Sequence, residues 1–456
     1  MQLRMSPNGG TTSTSDDELR PIGLLERFHA TRNFLGFDTC VVGAARYRQT
    51  TRLTPAILFP ALRQVALAHP ALCVRLKDEK SPSARFVRLR EINLRDVVTF
   101  SQRDDGLEAA LRDQLARGFD TEAAGLPLWR VEVLLDNTVV FAVHHMVGDG
   151  LSSTAFHLAL LRALNHPNLA HDVSSTIRIP SDIEMPPPIE ELTTVRPSIG
   201  TLTSLMFKHV APQRWTFAGS AWTGRRTPAS AVNALRPQVR LLKIPADVIA
   251  ALRRLCRKNG ATLTAVFYLL AASVLGQMPM VDRGRYQSVA AGVAISLRDC
   301  AQPPIPRTAI CDAVSAHYTY PPLERDVSWS AAAKYSAVLR TQKVAARESI
   351  GMMRYLGNDY AAFMRGSLDK KRDLGFVLSN LGPMPKTDDD EGGWRIENVV
   401  FAQCDVVVGA AFKMNVVGDT DGGVNCAFTW GEESVEDGFV DEVVRRFQDA
   451  LRTLVL

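Results

Sequence analysis

The sequence has no CxxC pair, no GxSxG motif, no dominant block of one charge sign and no apolar run long enough to cross a bilayer. Each absence removes a class of function. The seven cysteines (Cys40, Cys73, Cys256, Cys300, Cys311, Cys404 and Cys426) are scattered along the chain. An odd, dispersed set argues against a disulfide framework and for reduced thiols in a cytoplasmic protein. Without a GxSxG elbow, or a cysteine at a recognisable distance from a histidine, covalent catalysis has no visible nucleophile. The nearest approach to a membrane span, LTAVFYLLAASVLGQM (263–278), is too short and reads as a buried helix. The opening MQLRMSPNGGTTSTSDDELR lacks the apolar core of a secretory signal, so residues 1–19 read as a disordered polar arm. Net charge is +5 and evenly spread, which gives no nucleic-acid footprint but suits an anionic cosubstrate.

What is present is an ordinary globular composition, 46% hydrophobic and 22% charged over 456 residues, enough for two domains. Residues 21–36 have apolar positions at helical spacing, 39–47 read as a strand, and Thr54-Pro55 opens a helix. PLWRVEVLLDNTVVFAVHH (127–145) holds two β-rich runs around Asp136-Asn137 and predicts a hairpin. A helix follows Gly150, with Ser152 or Ser153 as its expected N-cap. Residues 181–235 are rich in proline and polar side chains and read as a linker or crossover. It separates an N-terminal domain, 20–180, from a C-terminal one, 236–456. Each half mixes strands and helices, so the fold class is α/β, two sandwiches sharing a cleft.

The segment VVFAVHHMVGDGL (139–151) ends a strand in two histidines. A strand of packed valine and phenylalanine is a rigid mount for a side chain presented into a cleft. Imidazole titrates near neutrality and can take a proton from a hydroxyl as it attacks. Adjacent strand residues face opposite sides, so His145 is the candidate base and His144 a packing or hydrogen-bonding residue. Gly148 and Gly150 suit a tight turn that brings Asp149 back, either to orient the ring or to pair with an arginine. A metal held by His144, His145 and Asp149 lacks a further ligand to complete a zinc-like set, so no metal is expected.

HHMVGDG resembles the HHxxxDG signature of the chloramphenicol acetyltransferase-like superfamily, which includes condensation domains and the BAHD acyltransferases. The opening from Arg20, together with WTG (222–224), AISLRD (294–299), LSNLG (378–382) and FAQ (401–403), is similar to the fungal alcohol acetyltransferase family in particular. The BAHD motif DFGWG is absent, and DLGFVLSNLG (373–382) stands in its place. The resemblance implies two chloramphenicol acetyltransferase-like α/β sandwich domains in a V shape with a substrate tunnel between them. It implies His145 as general base, Asp149 as the motif's aspartate pairing with Arg298 of the second half, and Ser379 and Asn380 lining the tunnel. Acyl-CoA, with acetyl as the default acyl group, would be a cosubstrate and no cofactor would be bound. The expected partners are a small secondary-metabolite alcohol and acyl-CoA, without nucleic acid, and the expected state is a monomer. DKKRD (369–373) is a candidate for CoA phosphates against the alternative of a solvated face. Two other readings share the fold: a condensation-type enzyme fed by a carrier protein or forming an amide, and a non-catalytic binding module.

Overall fold

The computed structural model describes residues 17–37, 40–166, 174–200, 203, 219–226, 229, 232, 236–357, 359–385 and 393–455. Two large sheets organise the chain. The first runs in the order Arg395–Gln403, Cys40–Arg48, Thr138–His144, Trp129–Val133, Val98–Phe100. All its pairings are antiparallel except the last. The second runs Pro237–Ile244, Val424–Gly431, Ala410–Gly418, Leu374–Pro383, Ala291–Ser296, Val314–Thr319, with parallel pairing on both sides of strand 374–383.

Strand 138–144 is buried at every position. Val139, Phe141 and Val143 enter one core with helices Pro55–Ala68 and Gly150–Asn165. Val140 and Ala142 enter another with Ala110, Leu111 and Leu115 of helix Gly106–Ala116. Both faces being covered explains the unbroken apolar run. Each fully buried valine or phenylalanine contributes roughly 1.5–3 kcal/mol, which holds the strand end stationary. The hairpin turn lies where the sequence predicts it. Asn137 adopts φ 63°, a conformation asparagine tolerates, and its side chain bonds the backbone of Thr51 and Leu53. Helix Leu263–Gln277 is buried in the second lobe beside the closing helix Phe439–Val455.

Four expectations are corrected. Order begins before residue 20, because strand Glu18–Pro21 pairs with Arg85–Arg88 and Asp17 bonds Arg88 and Arg90; residues 1–16 lie outside the described residues. The boundary at 236 is crossed, because strand 395–403 of the C-terminal half completes the first sheet beside Cys40–Arg48. Alternation along a sequence identifies a strand but not its sheet. The crossover is packed where it is described: Ile189 and Val195 are buried, and Ala221–Trp222 pairs with Ser288–Val289. Much of 201–235 lies outside the described residues. Finally, the N-cap of helix 150–165 is Asp149, which accepts from the Ser152 N–H while the Ser152 hydroxyl reciprocates.

Candidate active site

The turn after strand 138–144 carries the motif to the junction of the lobes. His144 points into the core, where its Nδ1 accepts the Met146 N–H at 3.0 Å. Burial pushes its pKa down to about 3, with smaller contributions from His145 and Arg130, so it is a neutral ring. Strand alternation does separate the two histidines, and His144 is the packing residue.

Asp149 is a strut. Its Oδ1 receives Arg298 Nη2 at 2.8 Å, Ser152 N at 3.0 Å and the Ser152 hydroxyl at 3.0 Å, and its Oδ2 receives Ala313 N at 3.3 Å. Arg298 is 1% exposed and also donates to the carbonyls of Pro306, Ala309 and Cys311. Burial works most strongly against its charge, yet Asp149, with smaller contributions from Cys311 and Asp312, tips the balance and its pKa rises. The Asp149 N–H is bound to Cys311 O at 3.1 Å. The motif turn of the first lobe is therefore clamped to loop 306–313 of the second.

The two motif glycines are required for space, not for backbone conformation. Neither has a positive φ. A Cβ on Gly150 would lie 2.7 Å from Leu381 Cδ2 and 2.9 Å from Phe401 Cζ, and one on Gly148 3.1 Å from Val143 Cγ1. Gly224 of WTG, by contrast, has φ +74°, and a Cβ there would lie 2.4 Å from that of Ala411.

His145 sits at the junction with two residues that the sequence gives no reason to group with it. Its ring stacks on His29 of helix Leu24–Phe34 with centroids 3.8 Å apart and planes 3° apart. Its Nδ1, which is buried, faces Asp312 Oδ1 at 3.8 Å, while His29 Nε2 approaches Asp312 Oδ2 at 3.4 Å. The Asp312 side chain is fully buried, and burial first, then Asp149 and Glu26, push its carboxyl well above the usual range. Burial likewise holds His29 well below the ordinary histidine value, with repulsion from His145, Arg32, His144 and Lys413 added. Only local motifs are readable in a sequence, and His29, His145 and Asp312 come from three distant segments.

These three residues could be taken for a metal-binding set. The ring geometry argues against it. Imidazole lone pairs lie in the ring planes, and two parallel planes at this separation cannot both direct a lone pair at one ion at bonding distance.

A small cavity of about 70 Å³ adjoins the cluster, lined mainly by apolar groups, among them Met146, Val147, Met185, Pro187 and Ile310, with Asp312 also in its wall. Ser379 and Asn380 are not part of its lining. Ser379 is buried in strand 374–383. The Asn380 amide bonds Thr264 Oγ1 at 3.1 Å and the Gly382 N–H at 2.9 Å, tying that strand to helix 263–277. In DKKRD, Lys371 donates to Ala221 O at 2.7 Å and buried Arg372 to Arg225 O at 3.1 Å. Two of its three cations thus serve the fold, which removes most of the case for a phosphate site.

Comparisons with known proteins agree with this architecture. The probable alcohol acetyltransferase crmB of Aspergillus fumigatus is 27% identical, covering 92% of this chain and 96% of its own. The probable alcohol acetyltransferase FCK4 of Fusarium pseudograminearum is 26% identical over 84% and 83%. Among solved structures, the TRI3 trichothecene 15-O-acetyltransferase of Fusarium sporotrichioides superposes with a TM-score of 0.70 at 13% identity, covering 95% and 94%. The condensation domain of the Monacolin K polyketide synthase MokA gives 0.59 at 12%, covering 96% and 98%. Both share the two-lobed fold. The alcohol acetyltransferase family model matches residues 21–298 and 323–451, and the chain belongs to that family of acyl-transferring enzymes.

Proposed function

We propose that the protein transfers an acyl group, with acetyl as the default, from acyl-CoA to the hydroxyl of a small secondary-metabolite alcohol, with His145 as general base. The observation that carries this is the division of labour within the motif. His144 is a neutral core ring and Asp149 is committed to Arg298, which leaves His145 as the motif's proton acceptor at the lobe junction. The acceptor's O–H proton passes to His145 Nε2 as the oxygen bonds to the thioester carbonyl. The tetrahedral oxyanion then collapses, the C–S bond breaks, and the thiolate leaves with the proton from Nε2. No metal and no covalent enzyme intermediate are required by this sequence of steps.

The apolar cavity beside Asp312 favours an uncharged acceptor. A monomer with its seven free thiols in a cytoplasmic setting is the matching cellular reading. The test offers acetyl-CoA and an acetylated carrier protein separately, each with a panel of alcohols and amines. Ester formation from acetyl-CoA supports the reading; consumption of the carrier thioester alone would replace it with the condensation-type one.

A further inference from the structure

The role of orienting the catalytic imidazole is unassigned once Asp149 is spent on Arg298. Within the described residues the acid that faces His145 is Asp312, presented by the second lobe one residue after Cys311, whose carbonyl and N–H are held by Ser152 and Arg298. Its position is therefore fixed by the same buried strut that holds the motif. His29 closes the other side: it covers the face of the His145 ring and turns Nε2 to the second oxygen of the same carboxyl.

We infer that Asp312 is a positioning residue held as a neutral carboxyl between the two rings. Its Oδ2–H points to His29 Nε2 and its Oδ1 accepts the His145 Nδ1–H, which leaves Nε2 of His145 as the lone pair. The inference rests on His145 being the general base. Three observations favour the neutral form. The nearby charges are mostly negative, from Asp149, Glu26 and Glu190. The cation that opposes them, Arg298, is already engaged by Asp149 and three carbonyls. Among the described residues, neither Asp312 oxygen has a hydrogen bond of ordinary geometry. A carboxylate left so would be severely penalised, whereas a neutral acid needs one donor and one acceptor, which the two rings supply. The approaches of 3.4 and 3.8 Å are long, as such contacts are before substrate binds.

The arrangement also gives the base a response to charge. When His145 takes the acceptor's proton, the Asp312 proton can move to His29, leaving a carboxylate facing the new imidazolium. No proton enters or leaves the trio in that shift, and His29 returns it when His145 protonates the leaving thiolate.

The full chain, labelled with 15N at histidine, reads the tautomer directly, with His145→Gln assigning the resonances. Wild type is expected to show His145 in the Nδ1–H form. Asparagine mimics a neutral acid, so Asp312→Asn should keep that form and hold kcat with acetyl-CoA within about tenfold. Asp312→Ala should lose the tautomer preference and lower kcat roughly 10–100-fold, the usual scale for a residue that orients a reacting group, with KM for acetyl-CoA little changed. An unchanged His145 signature and kcat in Asp312→Ala would overturn the positioning role. A loss in Asp312→Asn as large as in Asp312→Ala would overturn the neutral form, and Asp312→Asn alone decides this if the alanine variant unfolds. Absence of turnover in a wild type that shows the Nδ1–H signature would count against the transferase reading and leave the bridge standing.

Discussion

Removal of the Arg298 side chain should be the most costly single substitution at the lobe junction. The guanidinium is 1% exposed and makes hydrogen bonds to Asp149, Ser152 and the carbonyls of Pro306, Ala309 and Cys311. Arg298→Ala leaves Asp149 buried with its charge uncompensated and takes a donor away from each of those carbonyls, of which Pro306 O and Cys311 O keep others. Breaking one side of a buried ion pair costs about 3–5 kcal/mol. The remaining contacts of Asp149 to Ser152 and Ala313 keep the loss within that range instead of above it. Urea denaturation should show the midpoint falling, and activity should fall with it because loop 306–313 also carries Asp312. The double variant Asp149→Leu/Arg298→Leu should recover part of the lost stability, because no buried charge is then left without a partner. If Arg298→Ala unfolds within about 0.5 kcal/mol of wild type, the strut contributes nothing and the reasoning is wrong.

Other expectations follow from the same geometry. Gly150→Ala places a methyl against Leu381 and Phe401 and should cost about 1–3 kcal/mol in a urea titration, with Gly148→Ala milder because its contacts are longer. His144 remains neutral in the fold with its pKa near 3, so the unfolded chain, at about 6.5, takes up its proton first. Stability is therefore lost as pH falls below about 6.5, and His144→Leu should flatten that slope by about 1.4 kcal/mol per pH unit, read as urea midpoints across the acid range. Lys371→Ala should lower the thermal midpoint without raising KM for acetyl-CoA, because its ammonium holds carbonyls of Gly219 and Ala221; a raised KM would restore the phosphate reading.

The parts of this protein that were legible in its sequence are those whose cause is local. The hairpin at 129–144 follows from β-branched runs around Asp136-Asn137, and the separation of His144 from His145 follows from strand alternation. The Asp149–Arg298 strut was reachable only through the family resemblance, because nothing in the spacing links the two positions. His29 and Asp312 were not legible at all. They meet His145 because helix 24–34 and loop 306–313 converge on the junction, and neither segment carries a pattern that marks it as a site. The N-cap expected at Ser152 or Ser153 is Asp149, which caps helix 150–165 and pairs with Arg298 at once. The exchange of strand 395–403 into the first sheet is equally silent in sequence, since its alternation fits either sheet.

The central claim, that His145 is the base, is tested most directly by comparing wild type and His145→Ala for ester formation from acetyl-CoA across a panel of alcohols. The side chain is mostly enclosed but is not a strut, so the variant should fold with an unchanged urea midpoint. Its kcat should fall by roughly 10²–10⁴, the ordinary contribution of a general base. A folded His145→Ala variant that esterifies at close to the wild-type rate would contradict the account.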